Sequence, residues 1–326
     1  MKRYLITGFS GFVSYYFLKH LDEAAEGKIE VLGLDLNKPL NFEQDYNFNN
    51  LVIRFIPINL LDYNSLEIAL SSFSPDYILH LAAFSSVGAS WKKPVESFAN
   101  NTNIFLNLVE AVRKNNIKCR ILSVGSSEEY GNVSEKDVPL SEERNPAPLS
   151  PYAIARVSQE MMSKCYVDSF AQDIVMTRSF NHIGPRQKDV FVIPSFVKQL
   201  VYGFMDGNKE ILMHTGDVSI IRDFTDVRDV VRAYDFLIKN GKSGEIYNVC
   251  SGKGHSLNDI ISIVAGKLGV KVQIKKDESL VRPKDNMVIV GDNKKISNHV
   301  CWKPQIPLGK TLDDMIEYWK KQYTLK

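Results

Sequence analysis

Tyr152 and Arg156 stand four residues apart in SPYAIAR, residues 150–156. On a helix, positions i and i+4 share a face, so the Arg156 guanidinium would lie beside the Tyr152 phenol and favour its ionised form. A tyrosine placed in this way can pass a proton. Upstream, VGSSEEYG at 124–131 follows the apolar run ILSV and brings Ser126, Ser127, Glu128 and Glu129 to the end of a strand, all four expected near the reacting carbon. A serine hydroxyl and a tyrosine phenol converging on one carbonyl can protonate its oxygen while a hydride reaches its carbon.

Hydride chemistry needs a donor, and the N-terminal stretch TGFSGFVS, residues 7–14, is built to hold one. Gly8 and Gly11 permit a tight turn between a strand and a helix. With Phe9, Ser10 and Phe12 they would bring backbone N–H groups and the positive end of a helix against a pyrophosphate. Asp35 closes the next strand, where a carboxylate accepts from adenosine ribose hydroxyls and repels a 2′-phosphate, so NAD(H) is expected rather than NADP(H). A strand-end turn former is the alternative reading of Asp35. Ser14 replaces the third glycine of the pattern, a change small enough to shift the helix only slightly.

These residues have to be positioned by something, and the hydrophobic rhythm says what. Short apolar runs (KRYLITG, IEVLGLD, DYILHLAA, CRILSVGS) alternate with helical patterns (FLKHLDEAAEG, LNLVEAVRKNN). That alternation predicts βαβ units and an α/β fold, a doubly wound parallel sheet with helices on both faces. A smaller mixed α/β lobe is expected after residue 180. The reading assigns 1–180 to a dinucleotide-binding domain, with a return around 221–252, and 181–326 mainly to a substrate lobe. A Pro- and Ser-rich loop, VSEKDVPLSEERNPAPLSP, separates the serine turn from the tyrosine helix.

The chain has 326 residues, 44% hydrophobic and 24% charged, with a formal charge of +2. That balance argues against nucleic acid as a partner. No apolar run approaches the length of a membrane span, and the N-terminus enters its first strand without a signal region, so a cytoplasmic location is expected. Cys119, Cys165, Cys250 and Cys301 are too scattered for a disulfide framework or a metal site and read as reduced, mostly buried thiols. No metal is expected.

The Gly8/Gly11 turn, HLAA at 80–83, Ser126 four residues before Tyr130-Gly131 and the Tyr152-to-156 spacing together resemble the extended short-chain dehydrogenases/reductases that act on nucleotide sugars, a Rossmann-type family. SFNHIGPRQ at 179–187 and RDFTDVRD at 222–229 resemble its GDP-4-keto-6-deoxy-mannose reductase branch, whose product is GDP-D-rhamnose. The resemblance implies that Ser126 orients the sugar carbonyl, Tyr152 is the general acid and residue 156 holds the nicotinamide ribose. The family has lysine at 156. Arginine keeps the charge but not the geometry. A surface cation paired with Glu160 is the alternative for Arg156.

By the same resemblance Leu81, Ala82 and Ala83 border the cofactor, and Ser85, Ser86, Val87 and Ser127 line the sugar pocket. Asn181 would touch sugar or phosphate, His182 would pack structurally, and Arg222 and Arg282 would grip the diphosphate, each guanidinium offering paired donors. Glu128 matches the base of the 4,6-dehydratases, which leaves elimination open beside reduction and epimerisation. A non-catalytic nucleotide-sugar binder is the remaining reading. The family's habit of pairing helices implies a homodimer.

Overall fold

The computed structural model describes residues 1–281 and 285–325. KRYLIT forms β1 (Lys2–Thr7), FVSYYFLKHLDE forms α1 (Phe12–Glu23) and IEVLGLD forms β2 (Ile29–Asp35). The first pass continues through α2 (Phe42–Asp45), β3 (Leu51–Pro57), α3 (Tyr63–Phe73), β4 (Tyr77–His80), α4 (Val87–Lys92) and α5 (Pro94–Lys114). It ends with β5 (Arg120–Ser126), α6 (Pro151–Phe170) and β6 (Asp173–Ser179). Then come β7 (Asn181–Ile183), α7 (Val192–Met205), β8 (Glu210–Thr215), β9 (Ile221–Asp226), α8 (Val227–Asn240) and β10 (Ile246–Val249). The last elements are β11 (Gly254–Ser256), α9 (Leu257–Leu268), β12 (Lys271–Lys276), β13 (Val288–Ile289), α10 (Lys294–Val300) and α11 (Leu308–Thr324).

Seven strands make one parallel sheet in the order β3-β2-β1-β4-β5-β6-β10. Both faces are covered, which is why these strands are almost continuously apolar. Tyr4 and Ile6 of β1 point into the layer under α1 and α8, whereas Leu5 points into the layer made by α3, α5 and α6. Strand order reverses between β1 and β4. Ligands of doubly wound sheets sit outside the carboxyl ends of the strands at such a reversal. Register aligns Thr7 with His80 there, and Ser126 with Ser179 two strands away.

The chain crosses back to the large sheet twice. Helix α8 and β10 make the first return; β9, at the front of the stretch read as returning, stays with the smaller lobe, paired to β7, β11 and β13. The second return escaped the sequence reading: Ile296, Val300 and Trp302 join the core that contains Tyr234 and Leu237. The Trp302 indole donates to the Asp229 carbonyl at 3.0 Å, and the Asp229 carboxylate accepts from the backbones of Gln305 and Ile306. The helix responsible, KKISNHV, is too short to announce itself by periodicity.

The smaller lobe is built on α7, α9 and α11, with Val197, Leu200, Ile260, Val264, Leu312 and Met315 at its centre. The middle loop is pinned at two points, by Leu140 N–H to Val290 O at 2.9 Å near its centre and by Ala147 N–H to Glu129 O at 3.0 Å near its end. It thereby ties the serine turn to the second lobe. All four cysteines are free, but Cys165 and Cys301 are exposed, against the expectation of mostly buried thiols. Among the described residues no helix is long and apolar enough to cross a membrane, and no cluster could hold a metal ion.

Candidate active site

Helix α6 begins where its sequence says it must. Ser150 accepts the Ala153 N–H at 3.1 Å and Pro151 takes the first helical position, so Tyr152 falls in the first turn and Arg156 one turn later. Arg156 Nε donates to the Tyr152 hydroxyl at 3.2 Å, with the guanidinium 5.3 Å from the ring centroid. Both side chains are buried. Arg156 Nη1 donates to the Val124 carbonyl at 3.0 Å and to Gln159 Oε1 at 2.7 Å. Val124 lies two residues before Ser126, so this bond fastens the tyrosine helix to the serine strand.

Arg156 is therefore not a surface cation paired with Glu160. Glu160 turns inward instead and takes Arg178 in two parallel bonds, 2.8 and 2.9 Å, while Lys164 donates to the same Oε1 at 3.2 Å. Burial opposes the Glu160 charge, and the bidentate Arg178 guanidinium overrides it and holds the carboxyl below the usual range.

Ser126 caps a 3-10 turn, Ser127–Tyr130, with its hydroxyl accepting the Glu128 N–H at 3.2 Å. Ser127 is buried and Glu128 half-buried. Glu129, expected beside the reacting carbon, faces the other way. It is 0% exposed and accepts the Ser126 N–H at 2.6 Å. Burial, and then the charge of Glu160, push its pKa up. A buried carboxyl next to a second one keeps its proton.

His80 is a further buried neighbour. Its Nδ1 lies 2.9 Å from Thr7 Oγ1, and burial, followed by the positive Arg156, holds it down to about 3, so the ring is neutral at physiological pH.

The turn after β1 fits a dinucleotide. Gly8 has φ +68° and its missing Cβ would stand 2.7 Å from Ala82 N, so only glycine brings the turn this close to β4. The start of α1 has no side-chain cap, which leaves its first N–H groups for an anion. Asp35 at the end of β2 accepts from Ser10 N–H at 2.9 Å and Leu36 N–H at 2.7 Å. Leu81 and Ala82 bond back to Thr7, each at 3.2 Å, with Ala83 following in the same loop.

Two residues of the turn do something other than face a ligand with their side chains. Phe9 is fully buried among Phe42, Tyr46 and Phe55, over Gly33, and its N–H goes to Leu34 O. Phe12 stacks on His182 at 5.8 Å. The Ser14 hydroxyl, in place of the third glycine, is buried without a hydrogen-bond partner among the described residues.

Of the sugar-pocket residues, Ser85 is exposed, Ser86 caps α4 by accepting the Ala89 N–H at 3.1 Å, and Val87 opens that helix. Asn101 on α5, which the sequence reading missed, clamps the preceding residue through both its amide atoms to the Phe84 backbone. Asn181 is exposed on β7. Arg222 is buried and bonds Asp285 Oδ1 at 2.6 Å and Asn286 O at 2.8 Å. Arg282 lies outside the described residues. Gln159, Glu129 and Arg178 were also missed as supporting residues; only Gln159, two turns beyond Tyr152 on the same helix, carried a signal in its spacing.

With this geometry in view, the comparisons are decisive at the level of family. The sequence model described as GDP-mannose 4,6 dehydratase matches residues 5–315. The chain belongs to this family. Its members are extended short-chain dehydrogenases/reductases that modify nucleotide sugars, and the chain is an oxidoreductase of that type. It is 31% identical over 248 residues, 76% of this chain and 81% of the other, to GDP-6-deoxy-D-mannose reductase of Pseudomonas aeruginosa. The structure of RMD from Pseudomonas aeruginosa complexed with NADPH superposes with TM-score 0.83 at 28% identity, covering 99% of this chain and 100% of that one. UDP-glucose 4-epimerase of Thermotoga maritima, solved with UDP-glucose, gives TM-score 0.86 at 27% identity, covering 99% and 100%. The family's fold therefore hosts reduction, epimerisation and elimination alike.

Proposed function

We propose that this chain reduces the 4-keto group of a GDP-linked 4-keto-6-deoxy sugar, giving a product of the GDP-D-rhamnose type. The observation that carries the reading is the Tyr152 hydroxyl held by Arg156 Nε at 3.2 Å on the helix fastened to the Ser126 strand. A nicotinamide dinucleotide, when bound, supplies the hydride to the sugar carbon. Tyr152 gives its phenolic proton to the carbonyl oxygen and regains one from solvent. Ser126 donates to the same oxygen and fixes its direction. Arg156 balances the phenolate left behind and holds the cofactor ribose. The 31% identity to a GDP-6-deoxy-D-mannose reductase supports the substrate class.

NADH is the preferred donor in this reading, because Asp35 sets a carboxylate where a 2′-phosphate would sit. The uncapped start of α1 would hold the pyrophosphate, and Ser85, Ser86, Val87, Ser127 and Asn181 would line the sugar site. Arg222, fixed by Asp285, would grip the diphosphate.

Elimination is the second reading, favoured by Glu128 half-buried beside Ser126. Replacing Tyr152 by Phe tests the first. Turnover of the keto sugar should vanish while NADH binding stays within about threefold, since one hydroxyl is lost from a wider set of contacts; turnover that survives sinks the mechanism.

The chain works as a homodimer in this account. Val95, Phe98 and Leu106 on α5 and Ile154 and Met161 on α6 leave apolar side chains exposed at helical spacing. Light scattering that returned a monomer at working concentration would rule it out.

A further inference from the structure

Arginine at 156 is held by a buried partner on its own helix. Gln159 Oε1 accepts from Arg156 Nη1 at 2.7 Å, and Gln159 Nε2 donates to Ser123 Oγ at 2.9 Å and to Val124 O at 3.2 Å. Ser163 Oγ lies 3.1 Å from Ser123 Oγ and donates to the Gln159 carbonyl at 2.9 Å. All of these side chains are buried. The amide can point only one way, because the reverse would set its NH2 group against the guanidinium.

A guanidinium is a rigid plane. Two acceptors on Nη1, Val124 O and Gln159 Oε1, therefore fix the directions of the other two nitrogens as well. Nε is aimed at the Tyr152 hydroxyl. Nη2 is left with no acceptor among the described residues. A lysine ammonium puts all its donors on one nitrogen at the end of a flexible stem, so it could not serve Tyr152, Val124 and Gln159 from the two fixed positions of Nε and Nη1.

We propose that Gln159 is a positioning residue that makes arginine functional at 156, directing Nε to the Tyr152 phenol and Nη2 to the cofactor ribose. The inference rests on the proposed reading of Tyr152 and Arg156 as a cofactor-binding pair. It implies that lysine at this position would not give a more active site.

The test compares Gln159→Leu, Gln159→Glu, Arg156→Lys and the double variant Arg156→Lys with Gln159→Leu. The readouts are NADH affinity by fluorescence titration, and kcat and KM for GDP-4-keto-6-deoxy-mannose. Losing a hydrogen bond to a charged group predicts that Gln159→Leu weakens NADH binding and lowers kcat about tenfold or more, with KM for the sugar nucleotide within about twofold. Gln159→Glu keeps the acceptor for Arg156 but turns its second oxygen toward the Val124 carbonyl, and recovers part of the NADH affinity lost in Gln159→Leu. Arg156→Lys weakens NADH binding about tenfold in the natural background but less than about threefold when Gln159 is already Leu, the non-additivity expected of contacting residues.

The proposal is overturned if Arg156→Lys binds NADH as tightly as the natural protein, or if folded Gln159→Leu binds and turns over normally. Should Gln159→Leu fail to fold, Gln159→Glu and Arg156→Lys still decide the matter through NADH affinity. A protein that shows the binding pattern yet leaves the keto sugar untouched supports the role of Gln159 and refutes the substrate reading. Loss of the binding pattern refutes the role of Gln159 whatever the turnover.

Discussion

Glu129 reaches back across its own 3-10 turn and accepts the Ser126 N–H at 2.6 Å from a fully buried position. Its second oxygen has no donor among the described side chains and backbones, and its neighbour is Glu160, itself claimed by Arg178 and Lys164. Both cations donate to Glu160 and neither to Glu129, so a charge on the fully buried Glu129 would lie beside a second carboxylate without a cation of its own, and Glu129 keeps its proton. The backbone of the active-site serine rests on that carboxyl.

A pH dependence of stability follows. Because the folded pKa of Glu129 is raised, its contribution is complete below the ordinary carboxyl value of about 4.3 and is lost as pH climbs through the raised value. Glu129→Gln keeps the acceptor for Ser126 and has no proton to lose. The melting temperature of this variant, relative to the natural protein, should therefore rise steadily from mildly acidic to mildly alkaline pH. Parallel curves would contradict a protonated Glu129.

The turn beneath Ser126 also depends on Gly131. Its φ is +62°, and a Cβ there would fall 1.5 Å from the Ala147 carbonyl oxygen, a backbone atom that cannot swing aside. Gly131→Ala combines a disfavoured backbone conformation with a clash and should cost more than about 3 kcal/mol, beyond the usual range for a point change. Chemical denaturation measures it, and a loss under about 1 kcal/mol would show that the loop at Ala147 yields freely.

Cofactor choice turns on Asp35. Removing its charge by Asp35→Ser should lower the ratio of kcat/KM for NADH over NADPH by about tenfold or more, since like-charge repulsion of a 2′-phosphate is what the carboxylate supplies. Steady-state kinetics with both cofactors give the ratio directly. A natural protein that already prefers NADPH, the ligand named for the Pseudomonas aeruginosa relative, would show that Asp35 serves only the Ser10 and Leu36 backbones.

What could be read from the sequence was whatever repeats or sits at a fixed spacing. The parallel sheet follows from apolar strands alternating with amphipathic helices, and the Tyr152–Arg156 contact follows from helical geometry once Ser150 and Pro151 fix the start of α6. Buried polar partners without local periodicity were not legible. Glu129 reads as one more acid in SSEEYG until the 3-10 turn points it inward, and Arg178 reads as a strand residue until Glu160 meets it from α6. The same holds for α10 and Trp302, whose return to the large lobe depends on Asp229 in a distant helix.

Net reduction of a GDP-linked keto sugar is decided by NADH absorbance on mixing the purified protein with GDP-4-keto-6-deoxy-mannose. One NADH should be lost for each sugar converted, and none in Tyr152→Phe. No loss of NADH, or conversion of GDP-mannose with release of water and no net change in cofactor, would contradict it.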